Sequence, residues 1–408
     1  MNTDVLIVGG GASGMVAGIV AARRGKSVLL IEKKEKLGKK ILATGNGKCN
    51  FSNTYYDETV YRTDTKAIIA PILKQFSVED TIAFFRELGI EPKEKNGYLY
   101  PASMQAAAIV EVLIIELNRL KVKIQLEESV VSIHNKGSNY VIKTDKASYQ
   151  AKTVILATGG KASSKLGSDG SGYELAKKLG HTIVPVTEAL VALRSPLKLF
   201  KQIAGIRCNA RVSVVINGKN DVSEVGELQL TDYGISGIPV FQVSRYVTRA
   251  LVEGKPVDVM LDFLPDMTTE DTLQLLMNRL KSRPQKSAKE FLIGLFPYKL
   301  AFLFIKEAGI KEDEMVGQIY RHKLDALVKL IKSFRVPIKG ANGFEQAQVC
   351  AGGVSAGEVN KTTLESLLVK GLYMTGELLD VEGTCGGYNL QWAWSSGYVA
   401  GQHCLERN

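Results

Sequence analysis

The stretch DVLIVGGGASG, residues 4–14, decides the fold of this 408-residue chain. An apolar strand runs here into a glycine turn with the spacing G-x-G-x-x-G. In that pattern Gly9 permits the tight turn, Gly11 lets the backbone approach a pyrophosphate, and Gly14 lets the next helix pack closely against the strand. The predicted helix, residues 13–24, would direct its free N–H groups and its dipole at the pyrophosphate. The stretch therefore predicts a dinucleotide-binding fold.

A second apolar strand, residues 26–32, follows this helix and ends in an acid. Glu32 lies about twenty residues beyond the glycines, where a carboxylate accepts hydrogen bonds from the ribose hydroxyls of adenosine and repels a 2′-phosphate. Glu32 is therefore the predicted ribose ligand. The alternative is a solvated acid beside an ordinary loop, but strand, turn, helix, strand and acid occur in the order that a nucleotide site requires.

The composition is that of an enzyme with two or three domains: 45% of the residues are hydrophobic, 23% are charged and the net charge is +10. The basic cluster at residues 33–40 could neutralise a dinucleotide or attract an anionic substrate, although a solvated basic face is the default interpretation for most of its lysines. No basic stripe interleaved with aromatic residues indicates a nucleic-acid partner. No apolar run is long enough to indicate a membrane span.

The cysteines occur singly, without a C-x-x-C pair and without metal-like spacing to the histidines, at positions 49, 208, 350, 385 and 404. An odd, scattered set of this kind is typical of reduced thiols. We therefore expect a cytoplasmic protein without a metal site.

Three further glycine-rich segments could surround the same ligand. Residues 37–53 are dense in glycines, amides and hydroxyls, which suits a loop around the ribityl chain and ring edge of a flavin; a flexible surface loop is the alternative. A strand at residues 153–157 ends in a second glycine turn, and a strand at residues 371–375 ends in glycine and acid. Residues 383–389 then precede a predicted helix, residues 390–405, whose start would stabilise negative charge on a reduced flavin ring.

Together these segments resemble the flavoprotein family of aminoacetone oxidase and BaiN-type enzymes, within the glutathione-reductase-like FAD proteins. The resemblance spans nearly the whole chain and is carried by residues 9–14, 38–50, 157–160, 376–377 and 386–397. Two departures lie in regions that could face the substrate. Asp232 stands where the family frequently has histidine, and Cys350 stands where threonine is usual.

The resemblance implies noncovalent FAD in an extended form, with adenosine at the first glycine turn and the flavin at the C-terminal helix. The cofactor-binding residues that we predict are Gly9, Gly11, Ala12, Ser13, Gly14, Glu32, Lys33, Lys40, Thr44, Gly45, Asn46, Lys48, Cys49, Asn50, Val130, Val131, Ala157, Thr158, Gly159, Gly160, Gly376, Glu377, Gly386, Gly387, Tyr388 and Asn389. The chemistry would occur on the flavin, and the candidates for a catalytic contribution are Tyr388, Asn389 and Cys49. A redox pair of Cys49 with Cys385 would require folding to bring the two thiols together. Trp392 and Trp394 are expected to be packing residues.

The predicted fold class is α/β: a Rossmann-like FAD-binding domain with an inserted β-rich domain and a small helical subdomain. The predicted boundaries are 1–188 and 350–408 for the split FAD domain, 189–266 and 335–349 for the β-rich insertion, and 267–334 for the helical subdomain. Alternating strands and a helical leucine pattern support the two insertions. We expect the insertions to form a lid that shapes the substrate pocket, and a structural or partner-binding role is the alternative.

The predicted function is that of an FAD-dependent oxidoreductase, which transfers hydride between the flavin and a small or medium organic substrate such as an amine, an enone or a polycyclic alkene. Because no second G-x-G-x-x-G follows a strand, NAD(P)H would be a transient electron donor without a domain of its own; reoxidation by oxygen is equally open. One alternative is a flavin-binding regulatory or interaction protein with little turnover. Another is an FAD-dependent RNA-modifying enzyme, which the basic charge permits but no motif supports.

Overall fold

The computed structural model describes residues 2–404, so the predicted end of the last helix at Leu405 lies outside the described residues. The strands are β1 (Asn2–Val8), β2 (Val28–Ile31), β3 (Ser52–Asn53), β4 (Tyr61–Arg62), β5 (Pro92–Lys95), β6 (Tyr98–Pro101), β7 (Lys123–Gln125), β8 (Val130–Asn135), β9 (Tyr140–Thr144), β10 (Ser148–Leu156), β11 (Ile183–Ala189), β12 (Leu193–Arg194), β13 (Arg207–Ile216), β14 (Lys219–Thr231), β15 (Gly234–Gly237), β16 (Val257–Asp262), β17 (Phe334–Pro337), β18 (Gly340–Ala341), β19 (Val349–Val354), β20 (Leu372–Met374) and β21 (Glu382–Gly383).

The α-helices are α1 (Ala12–Arg23), α2 (Lys39–Ala43), α3 (Ile69–Gln75), α4 (Val78–Glu87), α5 (Ala106–Arg119), α6 (Ser171–Lys178), α7 (Phe200–Ile203), α8 (Ile238–Val252), α9 (Thr269–Ser282), α10 (Ala288–Phe291), α11 (Tyr298–Glu307), α12 (Arg321–Lys332) and α13 (Tyr388–His403). Short 3-10 helices occur at Thr44–Gly47, Glu58–Val60, Lys66–Ile68, Ser164–Leu166, Val316–Gln318, Ala356–Glu358 and Gly376–Leu378. Across residues 2–404, no helix is both long enough and apolar enough to cross a lipid bilayer.

The chain divides into two compact units, Met1–Val186 with Gln348–Asn408 and Thr187–Ala347. The first unit contains all the glycine motifs that the sequence singles out. The three-part division with its boundaries at 188, 266, 334 and 349 stays a prediction.

The first unit is organised around a sheet with the strand order β7-β2-β1-β10-β9-β8. β1 pairs in parallel with β2 and β10, and β20 pairs in parallel with the C-terminal half of β10. Val5, Leu6 and Ile7 of β1 are completely buried, which is typical of a parallel strand that is covered on both faces. The carboxyl ends of β1, β2, β10 and β20 therefore meet at one edge of the sheet, where ligands bind in open α/β sheets.

Helices α1 and α13 pack against each other with their backbones in close approach. A Cβ atom at Gly397 would lie 2.3 Å from the carbonyl oxygen of Ser13, and one at Gly401 would lie 2.8 Å from that of Ala17. Only glycine fits at such distances. This packing brings the C-terminal helix beside the first glycine turn, although 373 residues separate Gly14 from Gly387 in the sequence (387 − 14 = 373).

The second unit consists of an antiparallel sheet with the order β17-β16-β13-β14-β15-β12-β18 and the helices α7 to α12. The residues of alternating polarity at 211–216 and 257–262 lie in β13 and β16. Helix α9 begins with a capping box, in which the Thr268 side chain accepts the backbone N–H of Asp271 and the Asp271 side chain accepts that of Thr268. The sheet and the helices share one hydrophobic core.

We predict that Gly397→Ala destabilises the protein by about 1–3 kcal/mol, because the added methyl group would collide with the backbone of α1. Gly18→Ala is the matched control, since its Cβ would meet only the ends of side chains, which can move: Leu117 at 3.1 Å, Ile7 at 3.5 Å and Leu30 at 4.0 Å. Thermal unfolding of both variants measures the difference. Equal stability of Gly397→Ala and the parent protein would contradict the close helix packing.

Candidate cofactor site

The first glycine turn leaves open space in front of a helix N-terminus. A Cβ at Gly9 would lie 2.4 Å from the Ala157 carbonyl oxygen, and one at Gly14 would lie 2.0 Å from that of Gly9, whereas one at Gly11 would meet nothing within 4 Å. Among the described residues no side chain caps α1, and its first turn contains no acid. The unsatisfied N–H groups of this turn, from Ala12 onward, can therefore bind an anion such as a pyrophosphate.

The carboxylate of Glu32 faces the same turn from the end of β2. Its two oxygens accept hydrogen bonds from the backbone N–H groups of Gly10 (2.7 Å) and Lys34 (2.8 Å). The N–H of Glu128 donates to the carbonyl of Glu32 (3.1 Å), which brings the start of β8 to this end of the site. There the β8–β9 register shifts between Val130 and Ser132, so that the intervening valine, Val131, is exposed.

The second glycine turn and the residues after it lie over this region. A Cβ at Gly159 would lie 3.0 Å from Ser168 Oγ, and one at Gly167 would lie 3.9 Å from Glu32 Oε1. Lys33 forms an ion pair with Asp169 (Nζ–Oδ1 2.5 Å). The amino group of Lys33, a predicted cofactor residue, is thus paired with an acid in the segment 163–170. A contact between Lys33 and the cofactor stays a prediction.

The third glycine motif is held beside the first by two side chains of α13. The N–H of Gly376 donates to Ser396 Oγ (2.9 Å), and Trp392 Nε1–H donates to the Gly376 carbonyl (3.1 Å). A Cβ at Gly376 would lie 2.9 Å from Ser13 Oγ. Ser396 and Trp392 therefore position this motif. Trp392 is also buried in the hydrophobic core, as predicted, and its hydrogen bond is a role that the sequence did not indicate.

Glu377 connects three distant parts of the first unit. Its carboxylate pairs with Lys40 (Nζ–Oε2 2.7 Å) and accepts the backbone N–H of Cys350 (2.8 Å), and a Cβ at Gly160 would lie 3.0 Å from its carboxyl carbon. The structure thus brings Lys40, Gly160 and Glu377 together, as predicted cofactor residues should be. Cys350 was missed as a neighbour of this group. Burial raises the pKa of its thiol to about 12, and its Sγ accepts the N–H of Lys161 (3.2 Å).

The loop after α2 meets the start of α13. Gly45, Asn46, Gly47 and Cys49 all have positive φ angles between 54° and 80°, so the loop turns sharply from Thr44 onward, and the side chains of Asn46 and Lys48 are exposed. Beyond the turn, the side chain of Asn53 donates to the Gly386 carbonyl (Nδ2–O 3.0 Å). The loop and the last glycine motif are therefore neighbours in the fold.

The helix α13 begins at Tyr388, two residues before the predicted start, so Tyr388 and Asn389 lie in its first turn. The Tyr388 ring packs edge-on against Tyr61 (6.1 Å between centroids), and burial raises the pKa of its phenol to about 12. The Asn389 amide bonds both backbone groups of Gly383, each at 2.8 Å. Asn389 therefore holds the turn before the helix; the catalytic roles of both residues stay predictions.

Cys49 is fully buried, and burial raises the pKa of its thiol to about 12. Neither Cys49 nor Cys385 forms a disulfide in the structure. A protonated, inaccessible thiol is a poor redox group. The geometry therefore favours a packing role for Cys49.

The site as a whole fits FAD. The open face of Gly11 and the uncapped start of α1 suit the pyrophosphate, and the Glu32 carboxylate suits the ribose. At the other end, Asn50 Oδ1 is a buried acceptor that no donor within residues 2–404 satisfies. A buried acceptor without a donor, next to glycine turns, is expected where a bound polar ligand supplies the donor. The fold and site define the FAD domain of a flavin-dependent oxidoreductase.

The chain belongs to the HI0933-like family, because the family's HI0933-like protein Rossmann domain matches residues 3–403. It is 46% identical over 403 residues to a 3-dehydro-bile acid delta(4,6)-reductase of Clostridium scindens, with 98% of each chain covered. It is 33% identical over 406 residues to a ribosomal RNA dihydrouridine synthase of Haemophilus influenzae, with 97% of each covered. The Escherichia coli ribosomal RNA dihydrouridine synthase is 31% identical over 404 residues, with 98% of each covered.

Among solved structures, a 3-ketosteroid-delta4-(5alpha)-dehydrogenase of Rhodococcus jostii has the same fold. The TM-score is 0.51 at 16% identity, with 100% of this chain and 97% of that chain covered. The comparisons confirm the resemblance to the flavoprotein family, the predicted fold class and the assignment as an FAD-dependent oxidoreductase. The roles of individual site residues stay predictions.

We predict that Glu32→Ala weakens FAD binding by about 1–3 kcal/mol, or roughly 5- to 150-fold in the dissociation constant, because charge-assisted ribose hydrogen bonds are lost. Glu35→Ala is the control, since Glu35 is exposed and pairs with Lys39 (2.9 Å) on the surface. Fluorescence titration of the apoprotein with FAD gives both constants. Unchanged affinity in Glu32→Ala would show that the ribose assignment is wrong.

We also predict that Cys49 in the folded holoenzyme does not react with iodoacetamide at pH 8, because its pKa of about 12 leaves almost no thiolate. Cys385, which is partly exposed, serves as the internal comparison. Peptide mapping by mass spectrometry, with and without denaturant, measures both. Labelling of native Cys49 as fast as that of Cys385 would restore the redox interpretation.

Proposed function

We propose that the protein reduces a carbon–carbon double bond conjugated to a carbonyl group in a rigid ring substrate, with NADH or NADPH as the electron donor. When bound, FAD supplies the hydride transfer. Of the substrates considered above, this proposal selects the enone. The expected cytoplasmic location belongs to the same proposal, since the electron donor, NADH or NADPH, must be present in the same compartment.

The observation that carries the proposal is the 46% identity to the bile acid reductase over 98% of both chains. The identity therefore includes residues 187–347, the second unit, as well as the FAD domain. That relative's name describes a 3-oxo steroid with double bonds at positions 4 and 6, which is an extended enone. A similarity confined to the cofactor domain would have supported FAD alone.

The two ribosomal RNA dihydrouridine synthases support the same reaction class with a different substrate. Formation of dihydrouridine saturates a ring double bond that is conjugated to a carbonyl, as enone reduction does. Their 33% and 31% identities also extend over nearly the full chain. Uridine in RNA is therefore the second candidate substrate, and the expectation of no nucleic-acid partner depends on the first candidate.

Residues at the start of α13 suit this reaction. When hydride adds to an enone, negative charge develops on the carbonyl oxygen, and a neutral hydrogen-bond donor stabilises it. The Tyr388 phenol, whose pKa is raised to about 12 by burial, keeps its proton at neutral pH and can act as that donor.

The test uses the FAD-loaded protein without oxygen. We expect NADH or NADPH to bleach the visible flavin absorption, and a 4-en-3-one steroid, added next, to restore it with formation of the saturated ketone. Ribosomal RNA that lacks dihydrouridine is the parallel acceptor. Restoration by the RNA but not by the steroid would establish the second candidate. A flavin that neither nucleotide bleaches, but that amines reduce with release of peroxide in air, would contradict the reductase proposal.

A further inference from the structure

Asn50 carries a buried hydrogen-bond acceptor that the protein does not use. Its Oδ1 atom is inaccessible to solvent, and none of the donors in residues 2–404 reaches it. Asn53, three residues along the same segment, shows the contrast: its Oδ1 accepts the N–H of Tyr55 (2.9 Å) and its Nδ2 donates to Gly386. Because a buried acceptor without a donor is costly, we expect a ligand to supply the donor at Asn50.

The position of Asn50 selects the part of FAD that can reach it. A Cβ at Gly387 would lie 2.9 Å from Asn50 Oδ1, so this oxygen lies against the first turn of α13. Gly397, ten residues further along the helix, touches Ser13 at the start of α1. At 1.5 Å per residue, the two ends of this stretch are about 15 Å apart. A ribityl chain followed by a flavin ring spans such a distance from a pyrophosphate at α1.

The chemistry of the ring then identifies the donor. The pyrimidine edge of the oxidised isoalloxazine has one N–H group, at N3, between the carbonyls at C2 and C4. A protein that binds this edge needs an acceptor opposite N3, with donors on either side. Asn50 Oδ1 is such an acceptor, and the first turn of α13, which no described side chain caps, offers free N–H groups beside it.

We propose that Asn50 accepts a hydrogen bond from N3–H of the bound flavin, and that it thereby orients the ring and tunes its reduction potential. The amide is neutral, so it adds no charge that would oppose the anionic reduced ring. A carboxylate in its place would add a negative charge that opposes the anionic reduced ring. The proposal rests on FAD in this site and not on the substrate proposed above.

The test compares Asn50→Asp and Asn50→Ala, each loaded with FAD. We expect Asn50→Asp to lower the midpoint potential of the flavin and to raise the pKa of N3–H, because the new charge disfavours both anionic forms of the ring. We expect Asn50→Ala to lower the pKa of N3–H, because the protonated form loses its acceptor, and to bind FAD roughly tenfold more weakly. Spectroelectrochemistry and alkaline spectrophotometric titration measure these quantities.

Asn96→Asp is the matched control, since Asn96 has the same side chain in the exposed turn between β5 and β6. It should leave the potential and the N3 titration unchanged. If Asn50→Asp purifies without FAD, the titration of N3–H in FAD-loaded Asn50→Ala tests the proposal. An N3 pKa equal to that of the parent protein in the FAD-loaded variants would overturn the proposal, even if their unfolding temperatures fall. Neither measurement uses a steroid, RNA or NAD(P)H, so failure of the proposed function would not affect the result.

Discussion

The contact between the backbones of α1 and α13 is the constraint on which the site depends. Gly397 and Gly401 let the C-terminal helix lie directly on the carbonyl groups of Ser13 and Ala17. Only this approach allows Trp392 and Ser396 to hold both peptide groups of Gly376 beside the first glycine turn. A side chain at either interface glycine would push α13 outward and move its start away from the loop at Asn50. The cofactor site is therefore a consequence of helix packing and not of its lining residues alone.

The same packing brings the N-termini of α1 and α13 into the first unit's glycine site, and the proposed FAD would extend between them. Neither α1 nor α13 has a side-chain cap or an acid in its first turn among the described residues. An uncapped helix start leaves N–H groups unsatisfied, which is costly unless water or a ligand binds them. At α1 these groups suit the permanent charge of a pyrophosphate, and at α13 they suit the charge that a flavin gains on reduction. In the proposed site, the start of α1 would therefore contribute to FAD binding and the start of α13 to the electron affinity of the flavin.

The sequence predicted the parts of the site that glycine and strand patterns encode, and it missed the parts that side chains assemble across the fold. Glu32 could be located because its distance from the glycines is set by one helix and one strand. The ion pair of Lys40 with Glu377 joins residues 337 positions apart, and no local pattern reports such a contact. The Trp392 hydrogen bond was missed because an indole on an apolar helix is usually a packing residue. Burial of Cys49 likewise follows from tertiary packing, so its raised pKa could not be predicted.

The two departures from the family pattern have different physical meanings. Cys350 contacts Glu377 through its backbone N–H, which every residue other than proline has, and its Sγ accepts a hydrogen bond as a threonine hydroxyl can. The cofactor site therefore tolerates this change. Asp232 is exposed in the turn between β14 and β15, where the fold of the second unit places no packing demand on its side chain. The bearing of Asp232 on substrate choice stays a prediction, whereas Cys350 belongs to the framework that holds Glu377.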